Sequence, residues 1–272
     1  MPEIHTHTFY HPDGRTLAWR EAGSGRPLIL LHGWAMSAVV FSEMQAALAG
    51  DFRVLAPDLR GHGGSSPGSG YALTDFAADL DAWLTALDLD TIDLLGWSLG
   101  GEVAQLLAAQ YPQRVTRLAL ISSTPRFAST HDWEHGLPDV QIKAMARDLR
   151  RNYELTMNGF FSLQFTDEAL ERERYRQIVA FAVRAGRLPL PEVALAALET
   201  LRSEDLRPLL PQLVQPTLVL HGGRDRIIPV AAGRYLGTTL PAARYIEWPD
   251  VGHAPFMSRP QDSVTLWREF FA

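Results

Sequence analysis

Gly96-Trp97-Ser98-Leu99-Gly100-Gly101 lies between an apolar run, Thr91-Ile92-Asp93-Leu94-Leu95, and a helical stretch from Glu102 to Tyr111. This is G-x-S-x-G in a strand–turn–helix setting, the arrangement of a nucleophile elbow. A serine at a sharp turn after a strand projects its hydroxyl above the sheet edge. Glycines flank it because the backbone doubles back where a Cβ would clash. The helix that follows aims its first amides at the same space, which suits a developing oxyanion. Ser98 is therefore the candidate nucleophile. The alternative is a glycine-rich strand–helix turn in which the serine only caps the helix.

Outward from the elbow, short apolar runs recur at Leu28–Leu31, Phe52–Ala56, Arg117–Ile121, Thr217–Leu220 and Tyr245–Trp248. Apolar on successive residues, they suit a parallel sheet covered on both faces. Helical patterns alternate with them at Ser37–Leu48, Asp75–Leu87, Gly101–Gln110 and Pro260–Phe271, with Thr74 as an N-cap of the second. Thr6–Tyr10 and Thr16–Glu21, joined across Pro12-Asp13-Gly14, read as a hairpin entering the sheet. Alternating β and α predicts an α/β, doubly wound architecture with a mostly parallel central sheet flanked by helices.

The alternation stops after Ile121. The expected helices there run near Val140–Asn152, Glu168–Ala185 and Pro191–Leu201, with no clear strand. Residues 125–208 therefore read as a helical lid inserted into a core formed by 1–124 and 209–272. Between Arg126 and Arg187 ten basic residues face nine acidic ones, whereas the rest of the chain has fifteen against twenty-two. The lid is thus less acidic than the body. A solvated helix face accounts for this as well as a docking surface does.

Composition narrows the function classes. The 272 residues are 46% hydrophobic and 21% charged, enough for one large packed domain. A net charge of −6 argues against general nucleic-acid affinity. No apolar run approaches the ~20 residues of a membrane span. The N-terminus lacks the basic and apolar segments of a signal peptide, so a cytoplasmic location and no membrane association are expected. The absence of cysteine removes disulfides, thiolate zinc sites and cysteine nucleophiles. No cofactor or metal is expected, and a monomer is favoured.

A serine hydroxyl is a poor nucleophile until a base takes its proton. His253, in Asp250-Val251-Gly252-His253-Ala254-Pro255-Phe256 between the last apolar run and the final helix, is the candidate base. Asp225, in His221-Gly222-Gly223-Arg224-Asp225-Arg226, follows the run ending at Leu220 and is the candidate orienting acid. Its alternative role is turn formation or an ion pair with Arg224 or Arg226. The order Ser98, Asp225, His253 is that of α/β-hydrolases. Leu31-His32-Gly33-Trp34 follows a buried run, so the backbone amides of Trp34 and Leu99 are the candidate oxyanion donors, with the Trp34 ring walling the acyl pocket. His32 reads as a structural residue that hydrogen-bonds the loop.

Other motifs carry less. Gly61-His62-Gly63-Gly64-Ser65-Ser66 lacks the following Lys-Ser/Thr of a phosphate loop and reads as a turn. His131 and His135 have zincin spacing, but an aspartate stands where the glutamate is needed. His5, His7 and His11 read as exposed and inert.

With these motifs the chain resembles an α/β-hydrolase. It is most similar to the family of pimeloyl-acyl-carrier-protein methyl ester esterases of biotin synthesis. Leu31-His32-Gly33-Trp34, the elbow, His253-Ala254-Pro255-Phe256 and the more specific Leu188-Pro189-Leu190-Pro191-Glu192-Val193 carry the likeness. The resemblance implies a serine carboxylesterase that cleaves a methyl ester from an acyl chain held by an acyl-carrier protein. It implies substrate contacts from Trp34, Ser98, Leu99, His253 and the segment Phe160, Phe161, Ser162, Leu163 and Gln164. It also implies carrier docking by lid arginines. Arg172 and Arg176 match two of those positions, while Leu155 and Gly159 stand at two others and leave the patch incomplete. A small-ester esterase, an enol-lactonase or a perhydrolase would share the same triad. A hydrolase-fold receptor or scaffold is the non-enzymatic alternative.

Overall fold

A computed structural model describes residues 3–184 and 187–272. Eight strands form one sheet in the order β1-β2-β4-β3-β5-β6-β7-β8. They are β1 His5–Tyr10, β2 Thr16–Ala22, β3 Pro27–Leu31, β4 Arg53–Pro57, β5 Ile92–Trp97, β6 Val115–Ile121, β7 Thr217–Gly222 and β8 Ala243–Trp248. The β1–β2 and β2–β4 pairs are antiparallel, and the pairs among β3 to β8 are parallel.

The continuous apolar runs have a direct cause. Leu28 and Leu30 face one packed layer, and Ile29 and Leu31 face the other. Helices α1 (Ser42–Leu48) and α10 (Pro260–Phe271) cover the first side. Helices α2 (Leu73–Ala86), α3 (Leu99–Gln110) and α8 (Val230–Thr239) cover the second. Every side chain of β5 and β7 is buried, so neither strand alternates polar with apolar.

The register brings the functional loops to one edge. Leu31 pairs with Gly96, Trp97 with Ile121, Ile121 with Leu220, and Gly222 with Trp248. The turns after β3, β5, β7 and β8 therefore emerge side by side at the carboxyl ends of the strands, where open α/β sheets place their ligands.

Between β6 and β7 the chain leaves the sheet. It forms α4 (Asp139–Arg151), α5 (Tyr153–Leu163), α6 (Arg172–Ile178), a π-helical stretch Val179–Arg184, and α7 (Pro191–Ser203). Short α9 (Pro255–Ser258) precedes α10. Three local readings are corrected. Helix α2 begins at Leu73 with Ala72 as its N-cap, not Thr74, and Asp75 secures it by accepting the Ala72 N–H at 3.0 Å. The helix expected over Glu168–Ala185 starts only at Arg172, because the preceding Glu171 is extended, φ −59° and ψ 139°, and serves as its N-cap. Its expected end, Ala185, lies outside the described residues. His11 is buried rather than exposed, against the Phe9 ring and 3.9 Å from Asp79.

Candidate active site

Ser98 sits between β5 and α3 with φ 56° and ψ −122°, a conformation that costs a non-glycine residue energy and needs enforcing surroundings. Those surroundings are tight. Ser98 donates its N–H to the Ile121 carbonyl at 3.0 Å, and its own carbonyl accepts from Ser123 Oγ at 3.1 Å. A Cβ on Gly100 would lie 2.6 Å from the His32 carbonyl oxygen, so β3 and α3 can approach only with glycine there. The Ser98 hydroxyl forms no hydrogen bond among the described residues.

Asp225 and His253 meet across the edge. Nδ1 of His253 is 2.7 Å from Oδ2 of Asp225, and both side chains are buried. Oδ1 of Asp225 accepts from the Ile227 and Ile228 amides at 2.8 and 2.9 Å. Arg224 and Arg226 do not pair with Asp225; both bond Asp167 instead. Asp250, the other nearby acid, pairs with Arg259. Burial alone would raise the Asp225 pKa, but the neighbouring His253 and His221 hold it well below the usual carboxylate range. The group is therefore a fixed negative charge opposite the imidazole.

Two residues that the motifs did not single out complete this arrangement. His221 Nε2 stands 3.0 Å from the Ile228 carbonyl and 3.2 Å from Asp225 Oδ2. Both neighbours accept, so the proton resides on Nε2. Trp97, the variable residue of the elbow, donates its indole N–H to the His253 carbonyl at 2.8 Å. A buried indole N–H needs an acceptor, and that requirement is the signal that could have flagged it.

The turn after β3 runs beside the elbow, and a Cβ on Gly33 would stand 3.2 Å from the Ser98 Cβ. His32 is buried, donates from Nδ1 to the Gly33 carbonyl at 2.9 Å and accepts the Leu59 N–H on Nε2 at 2.9 Å. Burial pushes its pKa down to about 4, so it is neutral. Holding the Gly33 carbonyl fixes the same peptide's N–H, that of Trp34. Neither the Trp34 nor the Leu99 amide donates to another group among the described residues. The Trp34 indole donates to the Ala194 carbonyl of α7 at 2.9 Å, and its ring meets Phe160 of α5 edge-on at 4.8 Å.

Within the segment Phe160–Gln164 the five residues diverge. Phe161 and Gln164 are buried, Phe160 is half-buried, and Ser162 and Leu163 face outward. An apolar cleft of about 380 Å³ between α4, α5 and the Asp225 loop is lined by Phe127, Leu137, Met145, Phe160, Leu163 and Ile227. Arg172 and Arg176 are both exposed on α6. Arg174 turns inward, binding Glu43 and the Met257 carbonyl. His131 and His135 belong to no group of three or more ligating side chains among the described residues. None of the helices described is long and apolar enough to cross a membrane.

The chain belongs to the α/β-hydrolase fold family, whose model matches residues 26–260. Within it, the sequence is similar to proteins named pimeloyl-[acyl-carrier protein] methyl ester esterase. The one from Nitrosomonas europaea is 36% identical over 249 residues, covering 90% of this chain and 95% of that protein. The one from Chromobacterium violaceum is 37% identical, covering 91% and 94%. Among solved structures, the enol-lactonase from Burkholderia xenovorans aligns with a TM-score of 0.81 at 27% identity, covering 95% and 97% of the two chains. A thermophilic esterase from Thermogutta terrifontis aligns at 0.80 and 28%, covering 99% and 98%.

Proposed function

We propose that this protein is a serine carboxylesterase acting on the methyl ester of a pimeloyl chain held by an acyl-carrier protein, as in biotin synthesis. The observation that carries the chemistry is the buried 2.7 Å His253–Asp225 hydrogen bond beside the strained Ser98 elbow. The relatives' name carries the substrate.

In this reading Nε2 of His253 takes the Ser98 proton as Oγ attacks the ester carbonyl. Asp225 holds the proton on Nδ1, so that Nε2 is free to accept. The Trp34 and Leu99 amides receive the developing oxyanion. The imidazolium then protonates the leaving methoxide, methanol departs, and an acyl-enzyme remains on Ser98. Water attacks it with His253 again as base, releasing the carboxylate. The apolar cleft lined by Phe160 and Leu163 supplies surface for an acyl chain. The inserted helices act as a lid, and Arg172 and Arg176 present positive charge to an acidic carrier protein.

Turnover of methyl esters on carrier-bound and free acyl chains of several lengths tests this. The expected result is a higher kcat/KM for the carrier-bound seven-carbon ester. An equal or higher value for small free esters or enol-lactones would replace it with a general esterase or lactonase.

A further inference from the structure

The turn from Gln164 to Glu168, which leads out of α5, touches the loop of the base and the loop of the acid together. The Gln164 carbonyl accepts the His253 N–H at 2.9 Å. Oε1 of Glu168 accepts the Gly252 N–H at 2.6 Å. On the other side, Asp167 receives Arg224 on its carbonyl and Arg226 on its carboxylate, the latter through Nε at 2.7 Å. These arginines are the residues on either side of Asp225. The fit at Gly252 is close: a Cβ there would stand 2.6 Å from Glu168 Oε1 and collide with the Gln164 carbonyl.

His253 is thus gripped from both sides of its backbone. Trp97 of the sheet body holds its carbonyl, and the inserted segment holds its N–H. The two halves of the Gln164–Glu168 contact differ in strength. The Arg226–Asp167 pair is exposed, 59% and 46% by side chain, and such pairs contribute little. The Glu168 carboxylate is partly sheltered and bonds a backbone amide, which is the stronger, charge-assisted kind.

We propose that Glu168 is a positioning residue: together with the Gln164 carbonyl it clasps the Gly252–His253 backbone and sets the imidazole against Ser98. The inserted helices then hold the base in place as well as covering the site. This inference rests on the triad proposed above.

The test uses a small free methyl ester, so that carrier docking plays no part. In Glu168→Ala, kcat falls about tenfold or more while KM stays within about twofold, as expected for a displaced base. Glu168→Gln keeps a carbonyl acceptor for the Gly252 N–H and recovers most of kcat. In an Asp225→Asn background, where the imidazole is already misoriented, Glu168→Ala costs less than about a further twofold. Should the alanine variant fail to fold, Glu168→Asp, one methylene short, shows the same kcat loss. Wild-type kcat in the alanine or aspartate variant, a loss confined to KM, no rescue by glutamine, or full additivity with Asp225→Asn would each overturn the clasp. Ser98→Ala run alongside separates the two ideas. An inactive Ser98→Ala with a fully active Glu168→Ala refutes the clasp alone, whereas an active Ser98→Ala refutes the triad.

Discussion

The loops at the sheet edge and the helices inserted between β6 and β7 hold their charged groups by opposite means. Asp225 is buried and accepts hydrogen bonds from two amides and from His253, within loops that the strand register aligns. Arg172 and Arg176 stand in solvent on a seven-residue helix, and the nearest acidic partner of Arg176 is Glu173 at 3.5 Å, an exposed pair. A buried, saturated carboxylate has one orientation and suits chemistry. Exposed arginines keep their rotamer freedom and suit encounter with a partner. In the proposed reading the reaction belongs to the body and recognition to the insertion, with the Gln164–Glu168 turn as one point of contact between them.

The largest effect expected from breaking this contrast is on the buried side. In Asp225→Asn the amide oxygen must stay with the Ile227 and Ile228 N–H groups. The NH₂ then faces Nδ1 of His253 and forces the other tautomer, with the proton on Nε2. Turnover should fall by about three to four orders of magnitude while the fold persists. Unchanged turnover in steady-state assays would mean that another group orients His253.

The exposed side predicts a smaller and more selective effect. Reversing Arg172 and Arg176 together to glutamate should lower kcat/KM for a carrier-bound ester about tenfold at low ionic strength, with the loss shrinking as salt is added. A small free methyl ester should be hydrolysed as before. Equal losses on both substrates would show that these arginines support the helix instead. Arg174 makes the useful contrast, because its bonds to Glu43 and Met257 tie α6 to the body.

The smallest effect concerns stability in acid. Burial lowers the pKa of His32 to about 4 and, with the charge of His32, that of His62 to about 3. Both lie below the unfolded value of 6.5, so the folded state favours the neutral rings. Their contribution is complete above pH 6.5 and is lost as pH falls toward 4 and then 3. Burial raises the pKa of Asp58 and Glu102, and these acids act in the opposite sense. Thermal unfolding of wild type and His62→Gln across this range isolates the His62 contribution. The Tm of the variant should fall less steeply, and parallel curves would exclude it.

Most of the body was legible because its signals are local. An apolar run in β3 or β5 reports burial on both faces, and the glycines around Ser98 report a backbone that doubles back. The insertion was less legible because its structure is decided by contacts. Helix α5 is not legible as a helix in the sequence, since Gly159 and the paired Phe160 and Phe161 blur its periodicity. Its one local signal is Asn152, whose side chain caps it by accepting the Leu155 N–H at 3.2 Å. The late start of α6 follows from the extended Glu171 that caps it, and the turn before it is tied to Arg224 and Arg226, far along the chain. His11 is buried beside Asp79, a residue distant in sequence that no local pattern announces. Ser98, Asp225 and His253 are candidates by motif and order, whereas Trp97, His221 and Glu168 emerge only from where their polar atoms point.

The proposed reaction makes Ser98 the nucleophile for methyl-ester turnover. A serine-directed fluorophosphonate, followed in parallel by intact-protein mass, peptide mapping and residual activity, tests it directly. A single adduct on Ser98 is expected, with methyl-ester hydrolysis lost in proportion to labelling and no adduct in Ser98→Ala. Full turnover by stoichiometrically labelled protein, or an adduct on any other residue that abolishes activity, would contradict it.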